Sequence, residues 1–158
     1  MLTTGYPHRG DPVAGAFVRG MARSLAARGH AVTVVCAARR GDAPCDDRGV
    51  RVVPAAGLSA GVFYGAGAPD AMGLGGAFRP GPWLRGGDAT AALGWRAREA
   101  LADCDALVSH FVLPSGLLAG LLRGGRPHVA VVHGTDGALL ARAPGWARRA
   151  VRRRRRAV

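Results

Sequence analysis

The sequence of 158 residues contains no Lys, Asn, Gln or Ile, so all 22 of its basic residues are Arg. With Ala and Gly abundant, this skew is typical of a GC-rich genome, which makes the Arg count weak evidence for a nucleic-acid partner. Acidic residues are scarce too, at 10, and the formal net charge is +12. Eight Arg lie within residues 141–158, which hold no acid, so the first 140 residues are only mildly basic.

Cysteine and long apolar runs are also scarce. Cys36, Cys45 and Cys104 are odd in number and lack metal-ligand spacing, so we expect neither a disulfide scaffold nor a zinc site. No run approaches the ~20 apolar residues that a membrane span needs, and the first residues do not resemble a secretion signal. Hydrophobic residues nevertheless make up 49% of the chain, well above the level of disordered proteins. These absences leave a folded, cytoplasmic protein as the expectation.

The first third of the chain predicts a helix followed by a buried strand. Residues 12–28 have Asp11 as a cap, Pro12 at the first helical position and Gly29 as a stop. One apolar face is expected along this helix, formed by Val13, Phe17, Val18, Met21 and Leu25. Residues 31–37 are a continuous β-branched run, which favours a strand covered on both faces.

The rest of the chain continues the alternation. Strands are predicted at 50–53, 106–109 and 128–132, helices at 88–102 and 115–122, and a Gly- and Pro-rich loop at 54–87. In the first of these helices Leu93, Ala97 and Leu101 share a face, and Ser115 is the expected cap of the second. This order indicates an α/β fold, a Rossmann-like parallel sheet with helices on both faces. Both ends look truncated, because residues 1–4 are short for a strand and a helix predicted at 147–156 has no strand after it.

Ligands of parallel α/β sheets bind beyond the carboxyl ends of the strands, where loops enter helices. Residues 5–11, 109–116 and 133–137 occupy such places. In the last loop, His133 is suited to hydrogen-bond a ligand and Asp136 to orient it or cap the next helix. A triad of Ser109, His133 and Asp136 is conceivable on paper, but its serine lacks the G-x-S-x-G context. The dinucleotide fingerprint G-x-G-x-x-G is absent after the first strand, which argues against a dehydrogenase or epimerase.

Several segments resemble the N-terminal domain of family 4 glycosyltransferases. They are Thr4-Gly5-Tyr6-Pro7, Gly15-Ala16-Phe17-Val18-Arg19, the run from Leu25 to Val35 containing Arg-Gly-His-Ala-Val-Thr-Val-Val, Leu113-Pro114-Ser115-Gly116, and His133-Gly134-Thr135-Asp136. The likeness covers nearly the whole chain and is weakest between residues 55 and 87. The combination of the Arg-Gly-His segment with the late His-Gly-Thr-Asp is its strongest part.

The resemblance implies the N-terminal half of a GT-B fold and a retaining transfer of sugar from a nucleotide-sugar to an acceptor hydroxyl. It implies no metal and no cofactor beyond the nucleotide-sugar co-substrate. The donor would be bound by a C-terminal domain missing from this chain, without which the fragment would be inactive. His133 and Asp136 are then the catalytic candidates, His133 near the transferred sugar. The expected substrate-binding residues are Gly10, Asp11, Gly15, His110, Pro114, Gly116, Gly134 and Thr135.

The basic C-terminus keeps a second interpretation open. We predict an acceptor-side domain over residues 1–146 and an Arg-rich helix or tail over residues 147–158. Trp146 beside this Arg-rich segment would suit docking on an anionic membrane. Nucleic acid is the less favoured partner, because aromatic residues make up only 6% of the chain. The alternative function is therefore a basic Rossmann-like binding module that docks on an anionic membrane or on nucleic acid. The expected location is the cytoplasm, with a peripheral position at the inner face of the membrane as an option.

Overall fold

A computed structural model describes residues 1–7, 12–38, 41–57, 80–134 and 136, with only the backbone for residues 80–86. Its six strands are β1 (Leu2–Thr3), β2 (Val32–Ala37), β3 (Cys45–Asp46), β4 (Val50–Ala55), β5 (Leu107–His110) and β6 (His128–Val131). The helices are α1 (Ala16–Ala26), α2 (Pro80–Ala100) and α3 (Leu117–Leu122). A 3-10 turn, Leu101–Asp103, follows α2, and a wide turn, Val112–Gly116, precedes α3.

The strands form one sheet in the order β3-β4-β2-β1-β5-β6. All neighbours pair in parallel except β3, which runs antiparallel to β4. The predicted α/β, Rossmann-like fold is thus confirmed, and the four strands expected from residue 31 onward lie within two residues of their predicted bounds. The short β1 is nevertheless a central strand, because Leu2 pairs with both Val35 and Ser109.

Alternate side chains of the strands build a hydrophobic core on each face of the sheet. One core joins Val34 and Val50 to α1 through Val18 and Ala22. The opposite core packs strand residues such as Val35 against α2 and α3, and its members are Leu2, Val35, Ala55, Leu93, Ala97, Leu101, Leu107 and Ala119. Burial of Leu93, Ala97 and Leu101 confirms the face predicted for this helix.

The first helix begins later than predicted. It starts at Ala16 rather than at residue 12, because Gly15 has φ +74° and a left-handed residue cannot continue a right-handed helix. The expected cap Asp11 lies outside the described residues. The apolar face is also different: Val18 and Ala22 are buried, whereas Val13, Phe17 and Met21 are exposed by 77%, 48% and 38%. Phe17 is therefore available to the loops at the end of the sheet.

Two other helix starts also differ from the prediction. Helix α2 begins at Pro80 instead of residue 88, since proline suits a first helical position and the helix runs on through a glycine-rich stretch. Helix α3 begins at Leu117 without a side-chain cap, and the Oγ of Ser115 is buried with no hydrogen-bond partner in the described part of the chain. The predicted Ser115 cap is wrong because the preceding turn takes that residue into the interior. Nowhere in the described part of the chain is a helix long and apolar enough to cross a membrane.

Candidate functional site

The ends of the parallel strands bring two of the predicted loops together. β5 ends at His110, and β6 ends two residues before His133. Because these strands are neighbours in parallel register, the two histidines meet at one edge of the sheet. The Nδ1 of His110 lies 3.2 Å from the Nε2 of His133. Their rings are within 15° of parallel, with centroids 5.4 Å apart.

Two phenylalanines enclose this histidine pair. The Phe17 ring, from the first turn of α1, lies 4.4 Å from the ring of His133, and the Phe111 ring lies 4.7 Å from it. Phe17 also approaches the ring of His110, at 5.8 Å. Sequence reasoning did not select either phenylalanine as a site residue. Phe111 could have been found from its position directly after a strand-end histidine. Phe17 gave no such signal, because its spacing assigned it to the core face of its helix.

His110 is the more deeply buried histidine of the pair, with 1% of its surface exposed. Burial lowers its pKa to about 4, and the nearby His133 and the N-terminal ammonium lower the pKa in the same direction. The imidazole is consequently neutral at physiological pH. Its Nε2 atom is buried and has no hydrogen-bond partner among the residues that the structure describes.

Asp136 holds the loop that carries His133. Its Oδ2 accepts a hydrogen bond of 3.0 Å from the backbone N–H of His133, and its own N–H donates to the His133 carbonyl at 2.9 Å. The first bond is one half of a capping box, in which the third residue of a helix accepts from the cap N–H, and the second is a backbone turn bond. The Asp136 side chain is only 2% exposed, so it is placed to orient the loop rather than to meet a ligand directly.

The remaining predicted site residues differ in their settings. Gly15 is buried, and a Cβ built on it would lie 2.5 Å from the Gly5 carbonyl oxygen, so the two loops pass in contact. Gly116 donates its N–H to the Phe111 carbonyl at 2.9 Å, Pro114 is buried in the same turn, and Gly134 is exposed beside His133. Gly10, Asp11, Thr135 and the segment 147–158 lie outside the described residues.

The Ser109 triad is excluded by the partners of that serine. Its Oγ lies 2.9 Å from the Nε2 of His128, a residue at the start of β6. The serine is therefore paired with His128 rather than with His133. Burial, helped by Arg123, lowers the pKa of His128, so this histidine is a neutral structural partner. No group of three or more His, Cys, Asp or Glu side chains within the described ranges is arranged to hold a metal ion.

A polar network at α1 was not predicted from the sequence. The Tyr6 hydroxyl donates to Asp47 Oδ2 at 2.6 Å, and Arg23 forms an ion pair with the other oxygen of this carboxylate. Burial alone would raise the pKa of Asp47, but the hydrogen bonds from Arg23 and Tyr6 outweigh it and lower the pKa. Burial and the Asp47 hydrogen bond raise the pKa of Tyr6. Because Tyr6 and Asp47 are 41 residues apart, no local pattern connects them.

Comparison with known proteins adds one match. The family model described as Glycosyltransferase Family 4 matches residues 14–158, which include α1, the strands from β2 onward and the His133 loop. No curated protein and no solved structure matches the sequence significantly.

Proposed function

The chain belongs to glycosyltransferase family 4, and we propose that it is the acceptor-side domain of an enzyme that transfers sugar from a nucleotide-sugar to an acceptor hydroxyl with retained anomeric configuration. The single observation that carries glycosyl transfer is the family match over residues 14–158. The parallel sheet supports a substrate site in this domain, because its strand ends form an edge at which ligands of such folds bind. In this proposal a C-terminal domain binds the donor, and no metal takes part.

His133 is proposed to hydrogen-bond the transferred sugar. Its position supports this role, since the imidazole is half-buried at the carboxyl edge of the sheet and its loop is held by Asp136. Transfer breaks the bond between the anomeric carbon and the diphosphate, and the acceptor oxygen bonds to that carbon on the same face. The acceptor proton leaves with the departing phosphate oxygen. The domain contributes orientation and exclusion of water, which lower the barrier without a covalent step.

The loops around His133 are proposed to receive the substrates. Gly134 is exposed next to the histidine, and Gly116 and Pro114 shape the neighbouring turn. Gly10, Asp11, Gly15 and Thr135 complete the proposed substrate-binding set, and the buried His110 supports it through its contact with His133. We place the reaction in the cytoplasm, with the Arg-rich residues 147–158 available to an anionic membrane surface.

The test is a comparison of His133→Ala with His30→Ala in the full-length enzyme. His30 is exposed and lies at the turn before β2, so its substitution is a matched control. Nucleoside diphosphate release is measured with UDP- and GDP-linked hexoses and candidate acceptors. We expect His133→Ala to lower turnover more than about tenfold, or about 1.4 kcal/mol of transition-state stabilisation, with little change in melting temperature. Unchanged turnover in this variant, or no transfer from any nucleotide-sugar by the native enzyme, contradicts the proposal.

A further inference from the structure

The hydrogen bond between the two histidines requires one proton between the Nδ1 of His110 and the Nε2 of His133, 3.2 Å apart. Two neutral arrangements satisfy it. In the first, His110 carries its proton on Nδ1 and donates to His133. In the second, His133 carries its proton on Nε2 and donates to His110, whose own proton must then be on Nε2.

The surroundings of His110 distinguish these arrangements. Its Nε2 is buried, and no described residue forms a hydrogen bond with it. The second arrangement buries an N–H donor without an acceptor there, whereas the first leaves only an unused lone pair. Unpaired buried N–H groups are rarer in proteins than under-used acceptors, so the first arrangement is favoured. A doubly protonated His110 is disfavoured by the burial of the ring.

We propose that His110 is a positioning residue that donates its Nδ1 proton to His133 and thereby holds His133 as the tautomer with its proton on Nδ1. The inference rests on the proposed function, because the Nδ1–H of His133 is then the donor available to an oxygen of the transferred sugar. His110 thus selects the Nδ1 of His133 as the nitrogen that faces the sugar. This nitrogen donates a hydrogen bond and does not accept one.

The neighbouring side chains favour a single orientation of the pair. The rings of Phe17 and Phe111 lie 4.4 and 4.7 Å from the ring of His133, which restricts its rotation and limits access of water to the shared hydrogen bond. Phe111 has φ +70°, a conformation that a bulky residue keeps only where its surroundings enforce it. The hydrogen bond from Gly116 to the Phe111 carbonyl is part of that enforcement.

The tautomer is measured directly by long-range proton–nitrogen NMR on the full-length protein labelled with ¹⁵N-histidine, without substrate. The chain has five histidines, and the signals of His110 and His133 are assigned by their loss in variants. We expect a protonated Nδ1 and a bare Nε2 on both rings at neutral pH. A proton on the Nε2 of His133 in the native protein overturns the inference and leaves the proposed function untouched.

His110→Asn and His110→Leu form the matched pair of variants. Asparagine retains a donor near the position of the Nδ1 atom, whereas leucine removes it. We expect His110→Asn to keep His133 in the native tautomer and His110→Leu to give a mixture of both. Equal spectra for His133 in the two variants contradict the inference, and the native spectrum provides the decisive reading if the leucine variant does not fold. The proposed function is tested separately, by the turnover of His133→Ala.

Discussion

Acidification from pH 7 to pH 4 should destabilise this protein through His110. The unfolded chain protonates this histidine near its ordinary pKa of 6.5, whereas the buried imidazole has a pKa of about 4. Between these values the unfolded state binds more protons, so the free energy of unfolding falls as the pH falls. The pKa difference corresponds to a loss of at most about 3 kcal/mol, complete near pH 4.

Four other groups bear on the change of stability in this pH window. His133 and the N-terminal ammonium both oppose a charge on His110 and act in the same direction as its burial. The lowered pKa of His128 adds to the loss between neutral pH and its own folded pKa. Asp47 adds to the loss only at the acidic end of the window, because its lowered pKa gives stability that starts to be lost as the unfolded carboxyl protonates near its ordinary value of 3.8.

The assay is urea unfolding at several pH values between 7 and 4, with His110→Asn and His30→Asn as variants. We expect His110→Asn to be less stable at pH 7 but to lose less stability on acidification than the native protein. His30→Asn makes the same substitution at an exposed position and controls for the change of side chain itself. An identical pH dependence in the native protein and His110→Asn, or stability that rises on acidification, would refute the reasoning.

Two further predictions concern the core loops and the thiols. Gly15→Ala should cost roughly 1–3 kcal/mol of stability, because φ is +74° and the new Cβ would lie 2.5 Å from the Gly5 carbonyl oxygen. Gly20 is exposed inside α1, and apart from its own helix backbone no described atom lies within 4 Å of a Cβ built on it. Gly20→Ala should therefore be neutral or stabilise the protein by about 0.5–1 kcal/mol. Equal effects of the two substitutions in urea unfolding would count against the Gly15 contact. Iodoacetamide should modify the exposed Cys45 quickly but spare Cys36 in the folded protein, since burial raises the pKa of the Cys36 thiol to about 12. Mass spectrometry before and after unfolding measures this difference, and fast labelling of Cys36 in the folded protein would contradict it.

In α2 the buried face was predicted correctly although the helix start was not, whereas in α1 both differed from the prediction. For α2, the face of Leu93 and Ala97 followed from helical spacing, which depends only on nearby residues. The start of α1 depended instead on a long-range contact: Gly15 adopts its left-handed conformation where the Gly5 loop crosses it. Capping signals such as Pro12 indicate where a helix is able to begin, but they do not reveal another loop that occupies the same space.

The candidate site was predicted in part. His110, His133 and Asp136 were identified because they follow predicted strands, and parallel strands end at a common edge. The sequence did not distinguish their roles. His110 became the buried partner and His133 the half-buried one only because their strands are neighbours in this register. Phe17 was assigned to the core on its spacing, and the position of α1 directs it to the histidines instead.

The sequence was sufficient to predict the alternation of strands and helices, the parallel α/β class and the three loops that hold the candidate chemistry. These properties follow from periodicity and local composition, which neighbouring residues set among themselves. The folded chain was needed to show the central place of the two-residue β1, the pairing of Tyr6 with Asp47 and the histidine pair. Such contacts join residues 23 or 41 positions apart, and they depend on strand order and register. Strand order and register are settled when whole faces of the sheet are buried together, so no single segment encodes them.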